Sequence, residues 1–189
     1  MTGPKRKLES PKRKLESLKR LEEALYEVLR LAEREDRSVV VAGGMAMQVY
    51  GSDRLTADVD VLSDGFLSGL PRGKALTFGG ETTHASNGVT VDVICRTDDY
   101  KELYEEALTA ALDNFATSES DFPVVDVEYL AAMKFAAGRF KDRADLVFLV
   151  KETGLNRETL RVIVRKHLGR YAVRELDNEL RAIDAGIEE

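Results

Sequence analysis

Cysteine occurs once in this chain, as Cys95, and histidine twice, as His84 and His167. A single cysteine excludes an internal disulfide and any zinc site built on thiolates, and it fits a reducing, cytoplasmic setting. Two histidines leave little material for an imidazole metal site. His84 reads as an exposed side chain in a polar loop and His167 as a side chain near a helix C-terminus, where its charged form suits the dipole. Any metal here is therefore expected to be held by oxygen. Long apolar runs are missing as well. The longest, Leu146–Val150, has five residues, against the roughly 20 that a membrane span requires. The basic N-terminal run has no apolar segment behind it, so no secretory signal is read there and no membrane partner is expected.

What the chain does have is 189 residues, 43% of them apolar and 33% charged, enough for one packed domain of ordinary size or one domain with a helical appendage. The charge is unevenly spread. Residues 1–20 carry eight Lys/Arg against Glu9 and Glu16, so with a total of −6 the other 169 residues carry −12. The acidic body gives no basis for general nucleic-acid affinity, and only the N-terminal segment offers a phosphate-binding patch.

That segment is a tandem repeat, PKRKLES twice over residues 4–17. Leu8, Leu15, Leu18, Leu21, Leu25, Val28, Leu29 and Ala32 form one helical stripe, which predicts an amphipathic helix over 15–34 with Pro11 at a frayed start. Either it docks by its leucines, or it serves as an arm for RNA or a partner. Strands are predicted over 38–42, 57–62, 75–78 and 88–96, with a polar loop over 79–87 and a short helix over 45–50. Asp98 or Asp99 is expected to cap a helix reaching about Asn114. After a short strand at Val124–Val125, helices are predicted over 127–140, 141–152, 157–167 and 171–185, with or without a break at 140. Strands in the middle and helices on either side make an α+β domain. We divide it into a basic helical segment (1–36), a core (37–125) and a C-terminal helical bundle (126–189).

Three aspartates stand inside strand patterns, where propensity and desolvation disfavour them. Asp58 and Asp60 are two apart, so their carboxylates leave one face while Val59 and Val61 leave the other. Asp92 sits within Val89–Ile94. Like charges this close repel unless a cation lies between them, and hard oxygen donors suit Mg²⁺ or Mn²⁺. For Asp58 and Asp60 alone, a solvent-facing strand edge explains the pattern equally. Upstream, Gly43–Gly44 marks a strand-to-helix junction where backbone N–H groups favour a phosphate, and a Cβ would block close approach. Arg54 and Thr56, just before the aspartates, suit phosphate contact or loop orientation. A second cluster lies in the helical part. Lys134 has small or apolar neighbours one turn away on both sides, so it snorkels or points at an anion. If the helix continues past Phe140, Lys141 and Asp145 share its face. Lys141 and Asp142 are equally explained as a plain polar surface.

Gly43–Gly44, then Arg54-x-Thr56-x-Asp58-Val-Asp60, then Asp92 in an apolar strand resembles the DNA polymerase β-like nucleotidyltransferase superfamily. Lys134 followed by Arg139-x-Lys-Asp-x-x-Asp145 looks like the later motifs of AbiEii-type minimal nucleotidyltransferases, the toxins of type IV toxin–antitoxin systems. The resemblance spans roughly residues 39–150. It implies a mixed sheet with the carboxylates at one end, flanked by helices, with two Mg²⁺ ions held by Asp58, Asp60 and Asp92. It implies an NTP substrate held by Gly43, Gly44, Arg54, Thr56, Lys134 and Lys141. It also implies that Lys134 contacts the triphosphate, that Asp145 is needed for activity, and that the NMP acceptor is tRNA or another RNA, or a protein hydroxyl. A cognate antitoxin is the implied partner. Many members carry Gly-Ser where this chain has Gly43–Gly44. The competing expectation is a non-catalytic nucleotidyltransferase-like module, or a toxin–antitoxin regulator, that pairs with a partner protein.

Overall fold

The computed structural model describes residues 11–187, with side chains from Leu15 onward. The first copy of the repeat, with Lys5, Arg6, Lys7 and Leu8, lies outside the described residues. The chain runs α1 (Pro11–Arg34), β1 (Val39–Val41), α2 (Gly43–Val49), β2 (Asp58–Ser63), β3 (Lys74–Ala75), β4 (Gly80–His84), β5 (Thr90–Ile94), α3 (Lys101–Phe115), α4 (Val127–Ala137), α5 (Phe140–Glu152) and α6 (Arg157–Asp184). The sheet order is β1-β2-β5-β4-β3, with β2 and β5 parallel and every other pair antiparallel. Val124 adds a parallel bridge to Val41 at the β1 edge. This is a mixed sheet in an α+β fold with a C-terminal set of helices, as the pattern predicts.

Strand alternation decides what each face of the sheet meets. Val39, Val41, Val59, Val61, Val91 and Val93 are buried on one face, where Leu21, Ala24, Leu25, Val28 and Ala32 of α1 cover them. The helix is pinned there by polar contacts. Glu27 accepts from Ser86 N–H, Asn87 donates to the Arg20 carbonyl, and Glu35 accepts from Ser68 and Gly69 N–H. The docking reading of the leucine stripe therefore holds from Leu21 onward, whereas Leu15 and Leu18 are exposed. Pro11 is the first described residue and already lies within α1.

On the other face, Val40 and Leu62 join a second core with α2, α3, α4, α5 and α6. Within it Glu106 of α3 accepts from Tyr129 and Lys166 and lies 2.8 Å from Nε2 of the buried His167, tying three helices together. His167 is thus packed inside the bundle.

Two boundaries differ from the sequence pattern. The segment 79–87, expected to be a polar loop, holds strand β4 over Gly80–His84, whose Glu81 and Thr83 are buried against the sheet. Its polar composition hid a central strand that borrows its burial from tertiary packing. The single helix expected over 127–140 stops at Ala137, because Gly138 adopts φ 60° and closes the C-terminus in the left-handed region. Farther on, Gly169 kinks α6 where a break between two helices is predicted. No described helix is long and apolar enough to cross a membrane.

Candidate functional site

The parallel pairing of β2 with β5 sets Asp60 directly opposite Asp92 and Asp58 opposite Thr90. Because paired residues of neighbouring strands share a face, all three carboxylates stand on the face that α1 does not cover. Their surroundings differ. The Thr56 hydroxyl donates to Asp58 Oδ1, and Gly44 N–H donates to Asp60 Oδ2 at 3.2 Å. Asp92 Oδ1 is buried with no hydrogen-bond partner. Burial and the charge of Asp58 push the Asp60 pKa up, with a further push from Asp92. The Gly44 N–H and Lys134 pull it back only in part.

The glycine pair has a steric reason that the sequence alone does not reveal. A Cβ on Gly43, which sits at φ +56°, would lie 1.7 Å from Asp60 Oδ2, and a Cβ on Gly44 would lie 2.4 Å from Thr56 Oγ1. Both glycines let the start of α2 press against the carboxylates. One N–H of this backbone is already given to Asp60.

The second cluster is a line of side chains alternating in sign. Arg54, from the loop before β2, pairs with Asp145 of α5, with Nη2 donating to Oδ2 at 3.2 Å and Nε 2.9 Å from Oδ1 but not in hydrogen-bond geometry. Lys134 of α4 is buried, with Nζ 2.7 Å from Asp145 Oδ2 and 3.3 Å from Asp142 Oδ1. Arg139, at the N-cap of α5, forks onto Asp142 through Nε and Nη2. Burial works against ionisation of Asp142, but the Arg139 hydrogen bonds and the Lys134 charge outweigh it and hold its pKa below the ordinary carboxylate value.

Lys134 and Asp145 are thus brought together, across the break at Gly138 and not along one continuous helix. The break turns α5 so that Asp142 and Asp145 face Lys134, while Lys141 is exposed and joins neither. Asp142, expected on a plain polar surface, is a buried partner of Lys134, and Arg139 joins it from the solvent side. Gly138 was the available signal, since a glycine after a helical run is a common stop and resets the helical wheel.

Among the described residues, no group of three or more His, Cys, Asp or Glu side chains is gathered closely enough to hold a metal ion as it stands. The donor set itself fits a hard divalent cation. Three carboxylates share one face, one of them has an orphaned buried oxygen, and their mutual repulsion raises Asp60. A cleft of about 1200 Å³ opens between α4, α5 and α6, lined by Tyr100, Lys134, Phe140, Arg143 and Glu179 among others; Asp58, Asp60 and Asp92 do not line it. Of the candidate site residues only Lys134 lines it, so the cleft lies among the helices and away from the carboxylates.

Among solved structures, the chain is similar to the antibiotic-resistance factor ANT(2'')-Ia. That solution structure matches 86% of this chain and 98% of its own, at 14% identity and a TM-score of 0.53. A second likeness, to an antigenic nucleotidyltransferase-like protein from Paracoccidioides brasiliensis, covers 82% of this chain and 90% of that one, at 16% identity and a TM-score of 0.39. No family model matches the chain, and no curated protein does. What the first likeness gives is the fold, a five-stranded mixed sheet with helices around it, which is nucleotidyltransferase-like.

Proposed function

We propose that this protein transfers a nucleoside monophosphate from an NTP to a hydroxyl acceptor. The observation that carries the reading is the register of Asp60 opposite Asp92, with Asp58 on the same face and Asp92 Oδ1 unpartnered. In the reaction the acceptor oxygen bonds to the α-phosphorus, the bond from that phosphorus to the α–β bridging oxygen breaks, and pyrophosphate leaves. A divalent cation held by Asp58, Asp60 and Asp92, Mg²⁺ or Mn²⁺, supplies charge stabilisation at phosphate oxygens and a lower pKa for the acceptor hydroxyl. Asp92 takes the hydroxyl proton, a reading supported by the lack of any hydrogen-bond partner for its Oδ1. Gly43 and Gly44 keep the backbone close to the carboxylates, and Lys134 offsets charge on the departing pyrophosphate. Arg54 and Thr56 orient Asp145 and Asp58 respectively. Asp145 in turn holds Lys134.

The resemblance to AbiEii-type enzymes makes the 3′ end of tRNA, or another RNA, the first acceptor to test. A protein hydroxyl is second, with a toxin role and a cognate antitoxin following from the same resemblance. The measurement is label transfer from each α-labelled NTP into total tRNA and into protein, with Mg²⁺ present. Asp60→Ala is expected to lose transfer while keeping its thermal transition, and undiminished transfer in that variant sinks the reading. A parent chain that binds no NTP in the presence of Mg²⁺ by calorimetry is the non-catalytic module instead. For the RNA acceptor, replacing Lys5, Arg6, Lys7, Lys12, Arg13 and Lys14 with Gln is expected to weaken RNA binding and flatten its salt dependence. An unchanged slope removes the repeat from RNA recognition.

A further inference from the structure

We infer that Arg139 is a second contact for the triphosphate and that Asp142 is the residue that positions it, an assignment that rests on the nucleotidyl-transfer reading. The argument is one of which cation is left to act. Three cations and two carboxylates form the line Arg54–Asp145–Lys134–Asp142–Arg139. Arg54 donates from Nη2 to Asp145 Oδ2 and stands in ion-pair contact with Oδ1 through Nε. Lys134 is only 8% exposed and lies between two carboxylates, so it offsets phosphate charge from within those pairs and has no free edge to offer. Arg139 differs. Its side chain is 62% exposed, and it binds Asp142 through Nε and Nη2, which leaves the Nη1 edge of the guanidinium out of that pair. A polyanion can meet this edge without breaking a buried contact.

Asp142 explains why the edge is fixed. It is 0% exposed, and its two oxygens accept from Arg139 in a fork while one of them also meets Lys134. A forked arginine–carboxylate pair sets the plane of the guanidinium as well as its distance. A carboxylate fully removed from water and spent on two cations is costly to bury for a surface ion pair alone. The charge of Asp60 is among those that act on Arg139, so Arg139 lies within electrostatic reach of the carboxylate face. It also follows the left-handed Gly138 directly, at the point where the chain turns from α4 into α5.

Calorimetric titration of the full chain with inorganic tripolyphosphate and Mg²⁺, and with each Mg²⁺–NTP, tests this. Arg139→Gln is expected to weaken tripolyphosphate roughly tenfold to a hundredfold and to raise KM for the NTP by a similar factor, with kcat much less affected. Arg139→Gln removes one of the two cations that hold the buried Asp142, so its melting temperature is expected to fall, and binding is read at a temperature where the variant is fully folded. Asp142→Asn is expected to give a smaller version of the same KM shift, and Asp142→Glu to recover part of it. Tripolyphosphate binding as tight in Arg139→Gln as in the parent overturns the contact. An Asp142→Asn protein changed only in its melting temperature overturns the positioning role. A parent chain that binds neither probe overturns the nucleotide reading itself, a failure that shows before any substitution is made.

Discussion

On β2 and β5, Val59, Val61, Val91 and Val93 point under α1 and are wholly buried, while their neighbours Asp58, Asp60 and Asp92 share the opposite face. The same two strands therefore build an apolar seam and a charged surface. On the α1 face the valines gain by leaving water, and α1 is bonded to the two loops at Ser68–Gly69 and Ser86–Asn87. On the other face each carboxylate opposes the next, and an oxygen of Asp92 is buried without a partner. That arrangement is locally unfavourable, and such places are where proteins keep their chemistry. One face holds the fold and the other is held by it.

Exchanging the two faces by substitution breaks this comparison most directly. Asp60→Asn is expected to lower NMP transfer about a thousandfold or more, with a melting temperature equal to or above the parent, because it removes repulsion and a buried charge. Val61→Ala, one residue along on the seam, is expected to keep transfer and lose about 2 kcal/mol of stability by chemical denaturation. If both variants lose stability alike and neither loses activity, the division between the faces is wrong.

A glycine pair sharpens it further. Gly43→Ala forces a Cβ to within 1.7 Å of Asp60 Oδ2 at a φ of +56°, so Asp60 must move. At least tenfold of the activity is expected to go with it, beside roughly 1 kcal/mol of backbone strain. Gly51→Ala is the control, since Gly51 has φ +92° but open space around its Cβ position. It is expected to show the strain and full activity. Equal transfer rates in the two variants would separate the glycine from the carboxylates.

Most of this frame was legible in the sequence because period-two and helical-period patterns survive folding with little change. The α1 stripe, the Asp58–Asp60 parity and the kink at Gly169 are local signals, each readable within a few residues. What was not legible depended on distant contacts. Strand β4 reads as a loop because Glu81 and Thr82 gain their place only by pairing with Val93 and Asp92. The burial of Asp142 follows from the turn at Gly138, which swings α5 against Lys134. A helical wheel drawn through that glycine puts Lys141 where Asp142 belongs.

The smallest effect concerns two carboxylates that burial treats alike and neighbours treat oppositely. Asp60 stands among like charges and its pKa rises; Asp142 stands between Arg139 and Lys134 and its pKa falls below the ordinary 3.8 despite burial. A group whose folded pKa is depressed adds stability above its unfolded value and loses it as pH falls through the folded value. Comparing the parent with Asp142→Asn by urea denaturation at pH 7, 5, 4 and 3 isolates that contribution, since asparagine does not titrate. The parent is expected to lead by a constant margin from pH 7 to about pH 5 and to lose the lead below about pH 4. A margin that persists undiminished to pH 3 means that the stabilisation comes from packing at position 142 and not from its charge, and the ionic line would then be a consequence of the turn, not a cause of it.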